Sequence, residues 1–289
     1  MKKNVLKELM CMAMAAAVLS GCGNQSGTQE TPASQTEAKT DAKTDAKTEA
    51  DTQAESHEPV KIMIAAAASL ENAYVDELIP MFEGKYDYIT VEGTYDSSGK
   101  LQTQIESGLE ADVFMSAATK QMNALKDEDM IEADSIVNLL ENKLVLIVPK
   151  GTDTDITGFE DITKADMIAI GDPDSVPAGQ YAREAFTSIG NWDEVSSKAS
   201  LGTNVTEVLR WVEESSADAG IVYATDAASS DKVDVIAEAP KGSLKKPVIY
   251  PAGILSGTKN PEEAKLFMEF LQSDEALSVF EKYGFTINR

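Results

Sequence analysis

The distribution of apolar residues predicts an α/β fold. From Val60 onward, short apolar runs alternate with amphipathic stretches of about 10 to 15 residues, the pattern of strand–helix units and largely parallel sheets. The alternation restarts after Gly151, which suggests a second lobe of the same kind. Several apolar runs also give way to small or hydroxyl residues where the next helix begins, and open α/β sheets bind ligands beyond such strand ends.

The N-terminus stands apart from this pattern. Residues 1–21 carry Lys2, Lys3 and Lys7, then an apolar stretch from Met10 to Leu19, and read as an export signal. That stretch falls short of the roughly 20 residues a spanning helix needs. Leu19-Ser20-Gly21-Cys22 resembles a bacterial lipobox, and the resemblance implies a lipidated Cys22 that anchors an exported chain to the extracytoplasmic face of the cell membrane. Residues 22–58 continue as a linker with hardly any large apolar side chain and a recurring Ala-Lys-Thr. Such a segment cannot bury enough surface to offset its ordering entropy, so disorder is expected. As a coil it would span roughly 30 to 35 Å. His57, near its end, is expected to be solvated and without a role.

The elements of the body follow in order. Residues 61–67 form the first strand, and Ser69 caps a helix reaching Lys85 on which Leu70, Ala73, Leu78 and Phe82 share a face. Residues 88–95 are the second strand, followed by Asp96-Ser97-Ser98-Gly99 and a helix over 100–107. A strand over 112–116 precedes a helix over 119–126, and the apolar run 144–148 is closed by Pro149 and Gly151. Next come a strand over 167–170, a loop to Ala178, a helix over 179–189 and a short strand over 198–201. A helix from Val205 to Glu214 leads to strands over 219–223 and 233–237 and an extended segment over 246–251. Helices over 261–272 and 274–283 end at Gly284 as a C-cap and could pack back on the first lobe.

Composition narrows the chemistry. Asp and Glu number 49 against 25 Lys and Arg, a net charge of −24, which argues against a nucleic-acid partner because phosphate binding needs a basic footprint. The one His and two Cys all fall within the first 57 residues. A Cys/His zinc site, an Fe–S cluster, a Cys nucleophile, a Ser-His-Asp triad and a disulfide therefore lack their atoms in the body. Carboxylate, hydroxyl, Lys and backbone chemistry remain.

Four helix starts share one feature: Ala68-Ser69, Ser97-Ser98-Gly99, Pro177-Ala178-Gly179 and Asn204-Val205 are built from small or hydroxyl residues. A helix N-terminus presents unpaired N–H groups and the positive end of the macrodipole, a site for an anion without Lys or Arg. Each start also has a plain structural reading. Ser69 and Ser98 serve equally as N-caps, Val205 as a core residue and Tyr223 as a strand residue facing a helix, so both readings stay open.

The stretches Ala65-Ala-Ala-Ala-Ser69-Leu-Glu-Asn-Ala73, Ser97-Ser98-Gly99, Ala111-Asp-Val-Phe-Met-Ser-Ala117, Gly171-Asp-Pro-Asp-Ser-Val-Pro-Ala-Gly179, Gly220-Ile-Val-Tyr223 and Tyr283-Gly-Phe-Thr286 resemble the molybdate-binding proteins of bacterial molybdate ABC transporters. The likeness runs from about Lys61 to the C-terminus. It implies a two-lobed periplasmic-binding-protein fold of type II, each lobe a mostly parallel sheet flanked by helices, with residues 59–143 and 248–289 in one lobe and 144–247 in the other. It also implies molybdate or tungstate held in the cleft as an oxyanion, with no cofactor, no direct protein–metal ligand and no catalysis. Carried over by motif, Ser69 and Ser98 would donate hydroxyl and backbone N–H groups, Ala178 and Val205 backbone N–H groups, and Tyr223 its phenol. A monomer delivering its ligand to a permease and its ATPase subunit is expected.

Asp96, Glu71 and Lys100 depart from the family pattern, and both carboxylates are expected to point outward. No contact group titrates between about pH 5 and 8, so affinity should be flat there. Ser98→Ala should weaken binding and spare the fold. A receptor for sulfate or another tetrahedral oxyanion is the alternative, and a hydrolase using Ser98 or Ser69 with a Lys base is a weaker one.

Overall fold

Residues 57–288 are described in a computed structural model of the chain. The expected export signal over 1–21, the expected lipidation site Cys22 and nearly all of the expected linker over 22–58 lie outside the described residues. His57 lies inside them and is exposed, with its ring stacked on Tyr88, centroids 4.2 Å apart.

The strands, in chain order, are β1 (Val60–Ala67), β2 (Ile89–Asp96), β3 (Val113–Met115), β4 (Val137–Asn142), β5 (Leu144–Pro149), β6 (Ile168–Gly171), β7 (Ala199–Gly202), β8 (Ala219–Tyr223), β9 (Val233–Glu238), β10 (Val248–Ile254) and β11 (Thr286–Ile287). They build two sheets, ordered β11-β4-β10-β3-β1-β2 and β7-β6-β8-β5-β9. The chain passes from the first sheet to the second at Lys143, between β4 and β5, and returns between β9 and β10.

Both sheets are mixed rather than mostly parallel. β1 pairs parallel with β2 and β3, and β6 with β7 and β8; every pairing of β4, β5, β9, β10 and β11 is antiparallel. The reason is connectivity. Parallel neighbours are joined through crossover helices, as expected of βα units, and the strands flanking the two passages between sheets run antiparallel to their neighbours. The continuous apolar runs mark the buried centres: β5 and β6 are buried along their whole length.

The helix expected from Ser69 to Lys85 is present but irregular. A 3-10 turn over Ala68–Leu70 and a short α segment lead into a π turn over Tyr74–Leu78, then an α segment over Ile79–Lys85. Pro80 has no N–H to give the carbonyl four residues back, and the widened turn before it accommodates that gap. Its buried Tyr74 and Phe82 meet the C-terminal helices, Pro261–Leu271 and Asp274–Lys282: Phe82 lies edge-on to Phe267 at 4.9 Å and Tyr74 to Phe280 at 6.0 Å. Burying each such ring contributes roughly 1.5 to 3 kcal/mol, and these contacts hold the C-terminus against the first sheet. In the other half, Phe159 and Phe186 pack at 5.3 Å. Among the described residues no helix is long and apolar enough to cross a membrane.

Candidate functional site

The parallel strands of both sheets end beside the same cavity. β1 closes in Ala65-Ala66-Ala67, all buried, and the turn that follows carries Ser69. Ser69 Oγ lies 2.9 Å from the Tyr250 hydroxyl, whose oxygen also accepts from the Asn142 side-chain amide at 3.2 Å. With Asn142 donating, the Tyr250 hydrogen can turn to Ser69 Oγ, which frees the Ser69 hydrogen for the cavity.

β2 ends at Asp96, and the helix Ser98–Glu106 starts at once, with Ser97 in the N-cap position. Ser97 makes no capping bond. Its Oγ has no hydrogen-bond partner, although the residue is 3% exposed. Ser98 is wholly buried, and its Oγ accepts from the Ala117 N–H at 2.9 Å, leaving its own hydrogen to donate.

The second sheet supplies two more helix starts. The helix Pro177–Ile189 has Pro in its first turn, where a missing N–H costs nothing, and Ala178 there is buried. Gly179 seats this helix on β6 so closely that a β-carbon would lie 1.9 Å from the Gly171 carbonyl oxygen. The helix Val205–Glu213 is capped reciprocally: Asn204 Oδ1 accepts from the Glu207 N–H, and the Glu207 carboxylate accepts from the Thr203 N–H. First-turn N–H groups of these helices, those of Ala178 and Val205 included, have no intrahelical acceptor. Tyr223 ends β8. Its N–H donates to the Asp226 carboxylate at 3.1 Å, while its buried hydroxyl has no partner.

The structure thus brings Ser69, Ser98, Ala178, Val205 and Tyr223 around one cavity, together with Ser97 and Asp96. It is about 10 Å³, room for a single water molecule, so the walls stand nearly shut. Several contacts bridge the halves across the cleft. The Gly99 N–H donates to the Ser175 carbonyl at 3.0 Å, the Gln121 amide to Gln180 Oε1 at 3.2 Å, and the Asn204 amide to Asp96 Oδ1 at 3.4 Å.

Asp96 does not point outward as expected; it lines the cavity as its one charged residue. Its Oδ1 is nonetheless occupied by the Ser97 N–H at 2.7 Å, the Lys100 ammonium at 3.3 Å and Asn204, which together offset its charge. Glu71 is exposed. Ser98, read from the sequence as an N-cap, is instead the first residue of its helix; Ser97 holds the N-cap position, makes no capping bond and lines the cavity as well.

Burial, and secondarily the neighbouring Tyr250, holds the Tyr223 hydroxyl well above its ordinary range, so it remains a donor. Burial also pushes Asp226 up to about 7, against the lowering effect of its backbone hydrogen bonds. No histidine, lysine or arginine lines the cavity; the Asp96 carboxylate is its charged group. Hydroxyl and amide donors, a hydrogen-bonded carboxylate and near-closure of the walls suit a fully deprotonated oxyanion. Among the described residues no cluster of three or more His, Cys, Asp or Glu side chains could hold a metal ion.

The family model for bacterial extracellular solute-binding proteins matches residues 62–286. YvgL of Bacillus subtilis, provisionally named an ABC transporter substrate-binding lipoprotein, is 44% identical over 232 residues, covering 80% of this chain and 88% of that protein. The molybdate-binding protein ModA of Escherichia coli is 38% identical over 233 residues, covering 78% of this chain and 89% of that one. The periplasmic molybdate-binding protein of Azotobacter vinelandii superposes with a TM-score of 0.69 over 79% of this chain and 100% of its own, and at 21% identity it speaks for the shared fold.

Proposed function

Because the chain belongs to the bacterial extracellular solute-binding proteins, and among them to the molybdate-binding type, we propose that it captures molybdate and tungstate outside the cytoplasm and delivers them to an ABC permease and its ATPase subunit. Anchoring through a lipidated Cys22 and action as a monomer complete the reading. The relative from Bacillus subtilis, itself described as a lipoprotein, supports the anchor. Residues 59–143 with 248–289 would form one lobe and 144–247 the other, hinged where the chain passes between the sheets.

One observation carries the proposal: the Tyr223 hydroxyl and Ser97 Oγ are buried in the cavity without any acceptor. Leaving a buried donor unpaired costs about 1 to 3 kcal/mol, a cost that an incoming anion removes. Ser69 and Ser98 would donate hydroxyl and backbone N–H groups, Ala178 and Val205 backbone N–H groups and Tyr223 its hydroxyl, seven donors in all, with the Ser97 hydroxyl a further one. Bonds to a charged acceptor contribute about 1.5 to 3 kcal/mol each, so about seven give roughly 10 to 20 kcal/mol before dehydration and closure are subtracted. A net of about −9 to −12 kcal/mol corresponds to nanomolar to submicromolar affinity.

Donors without acceptors select against protonated oxyanions, whose O–H would find no partner. An ion larger than water would hold the walls slightly farther apart than they stand here. A thermal-shift panel of molybdate, tungstate, sulfate and phosphate tests the reading. At 100 times its dissociation constant a ligand stabilises by about 2.7 kcal/mol, and the two oxometalates are expected to do so. A shift with sulfate alone would transfer the site to that ion, and no shift with any of the four would refute the proposal.

A further inference from the structure

A second concavity lies apart from the oxyanion cavity and is far larger, about 1190 Å³. One wall is the helix Thr119–Asp127 with Ile136 and Pro251 beside it; the other is the helix Pro177–Ile189 with the segment 242–247. It therefore spans both halves of the molecule.

Its charge runs against that of the chain. Lys120, Lys126, Arg183, Lys245 and Lys246 line it against a single carboxylate, Glu184, in a protein whose net charge is −24. Lys126 and Arg183 have exposed partners in Asp127 at 3.8 Å and Asp174 at 3.6 Å, and such exposed pairs are weak. Glu184 accepts from the backbone N–H of Lys245. Lys120, Lys245 and Lys246 are exposed and take part in no ion pair among the described residues. Between these cations the half-buried apolar side chains of Ile136, Tyr181 and Ile249 alternate with exposed polar ones such as Asn123, Asn138 and Thr187. Ser243 lines it too, 5% exposed, with an Oγ that has no partner.

Apolar patches among polar side chains with a charged rim are the anatomy of a protein-recognition surface, and the volume exceeds the roughly 300 to 1,000 Å³ typical of small-molecule sites. We infer that this groove docks an acidic polypeptide segment of a protein partner, with carboxylates seated on Lys120, Lys245 and Lys246 and apolar side chains on the patches between them.

Fluorescence anisotropy of a fluorescein-labelled peptide repeating Glu-Leu-Glu-Ala, titrated with the full chain, tests this. Binding is expected at about 0.01 M ionic strength and weaker at about 0.15 M. The triple variant Lys120→Glu, Lys245→Glu, Lys246→Glu should lose at least tenfold in affinity. The variant Lys61→Glu, Lys259→Glu, Lys282→Glu, equal in charge change but away from the groove, should lose much less. No binding at low salt, equal losses in the two variants, or displacement of the peptide by equimolar citrate would overturn the proposal, the last by marking a small-anion site. Titrations with and without molybdate, beside the thermal shift, keep a failure of the oxyanion reading separate from a failure of this one.

Discussion

The Gly99 N–H donates to the Ser175 carbonyl at 3.0 Å, and a β-carbon built on Gly99 would stand 2.3 Å from that same oxygen. The two residues lie on opposite sides of the cleft, so the shut arrangement requires position 99 to have no side chain. Backbone atoms cannot yield as a flexible side chain would. Gly99→Ala is therefore expected to leave the separate halves folded while blocking full closure. Molybdate affinity by titration calorimetry should fall tenfold or more, about 1.4 kcal/mol or above, with little change in the unliganded melting temperature. Unchanged affinity would show that binding does not use this closed contact.

Ser98→Ala removes a donor from the cavity, and a loss of roughly 1 to 3 kcal/mol in molybdate affinity is expected. The structure corrects the companion expectation that the fold is spared. Ser98 Oγ accepts from the buried Ala117 N–H, which the variant would leave unpaired. A lower unliganded melting temperature should accompany the weaker binding. A variant that binds as wild type would exclude Ser98 from the site.

Tyr223→Phe should behave oppositely in the unliganded protein. The phenol hydroxyl is buried with no partner, so its removal relieves an unpaired polar group. The variant is expected to melt at or above the wild-type temperature without ligand and to show a smaller molybdate-induced shift. A destabilised unliganded variant with a full shift would mean that the hydroxyl serves the fold instead.

These contrasts show what the sequence could and could not reveal. The helix starts at Ala178 and Val205 were legible through Pro177 and Asn204, and β5 because an unbroken apolar run admits few readings. β4 escaped notice: Val137-Asn-Leu-Leu-Glu-Asn142 shows no clean alternation, and β4 owes its place to pairing with β10, more than a hundred residues away. The short helices Trp192–Lys198 and Ala224–Ala228 carry too few turns for a periodic signal. The place of the Ser97 hydroxyl at the cavity was hidden for another reason. Whether an N-cap serine bonds its own helix or faces a cavity depends on side-chain direction, which residue identity does not encode.

Asp226 gives a pH dependence whose sign is fixed. Burial raises its folded pKa from 3.8 to about 7, so the folded protein binds more protons than the unfolded chain between those values. In that window its contribution to stability falls as pH rises; below about pH 4 the burial penalty is absent, and above about pH 7 it is complete. None of the cavity hydroxyls titrates there, so Asp226, which holds the Tyr223 N–H, is the nearby group that makes the region sensitive to pH. Asp226→Asn keeps an oxygen to accept that N–H and removes the ionisation. In urea unfolding at a series of pH values, the variant should match wild type near pH 4 and grow relatively more stable up to about pH 7. Beyond that the difference should level off, on the order of a few kcal/mol. Taking the difference between the two proteins cancels the many other carboxylates. Parallel stability curves across the whole range would show that Asp226 does not ionise in the folded protein as argued.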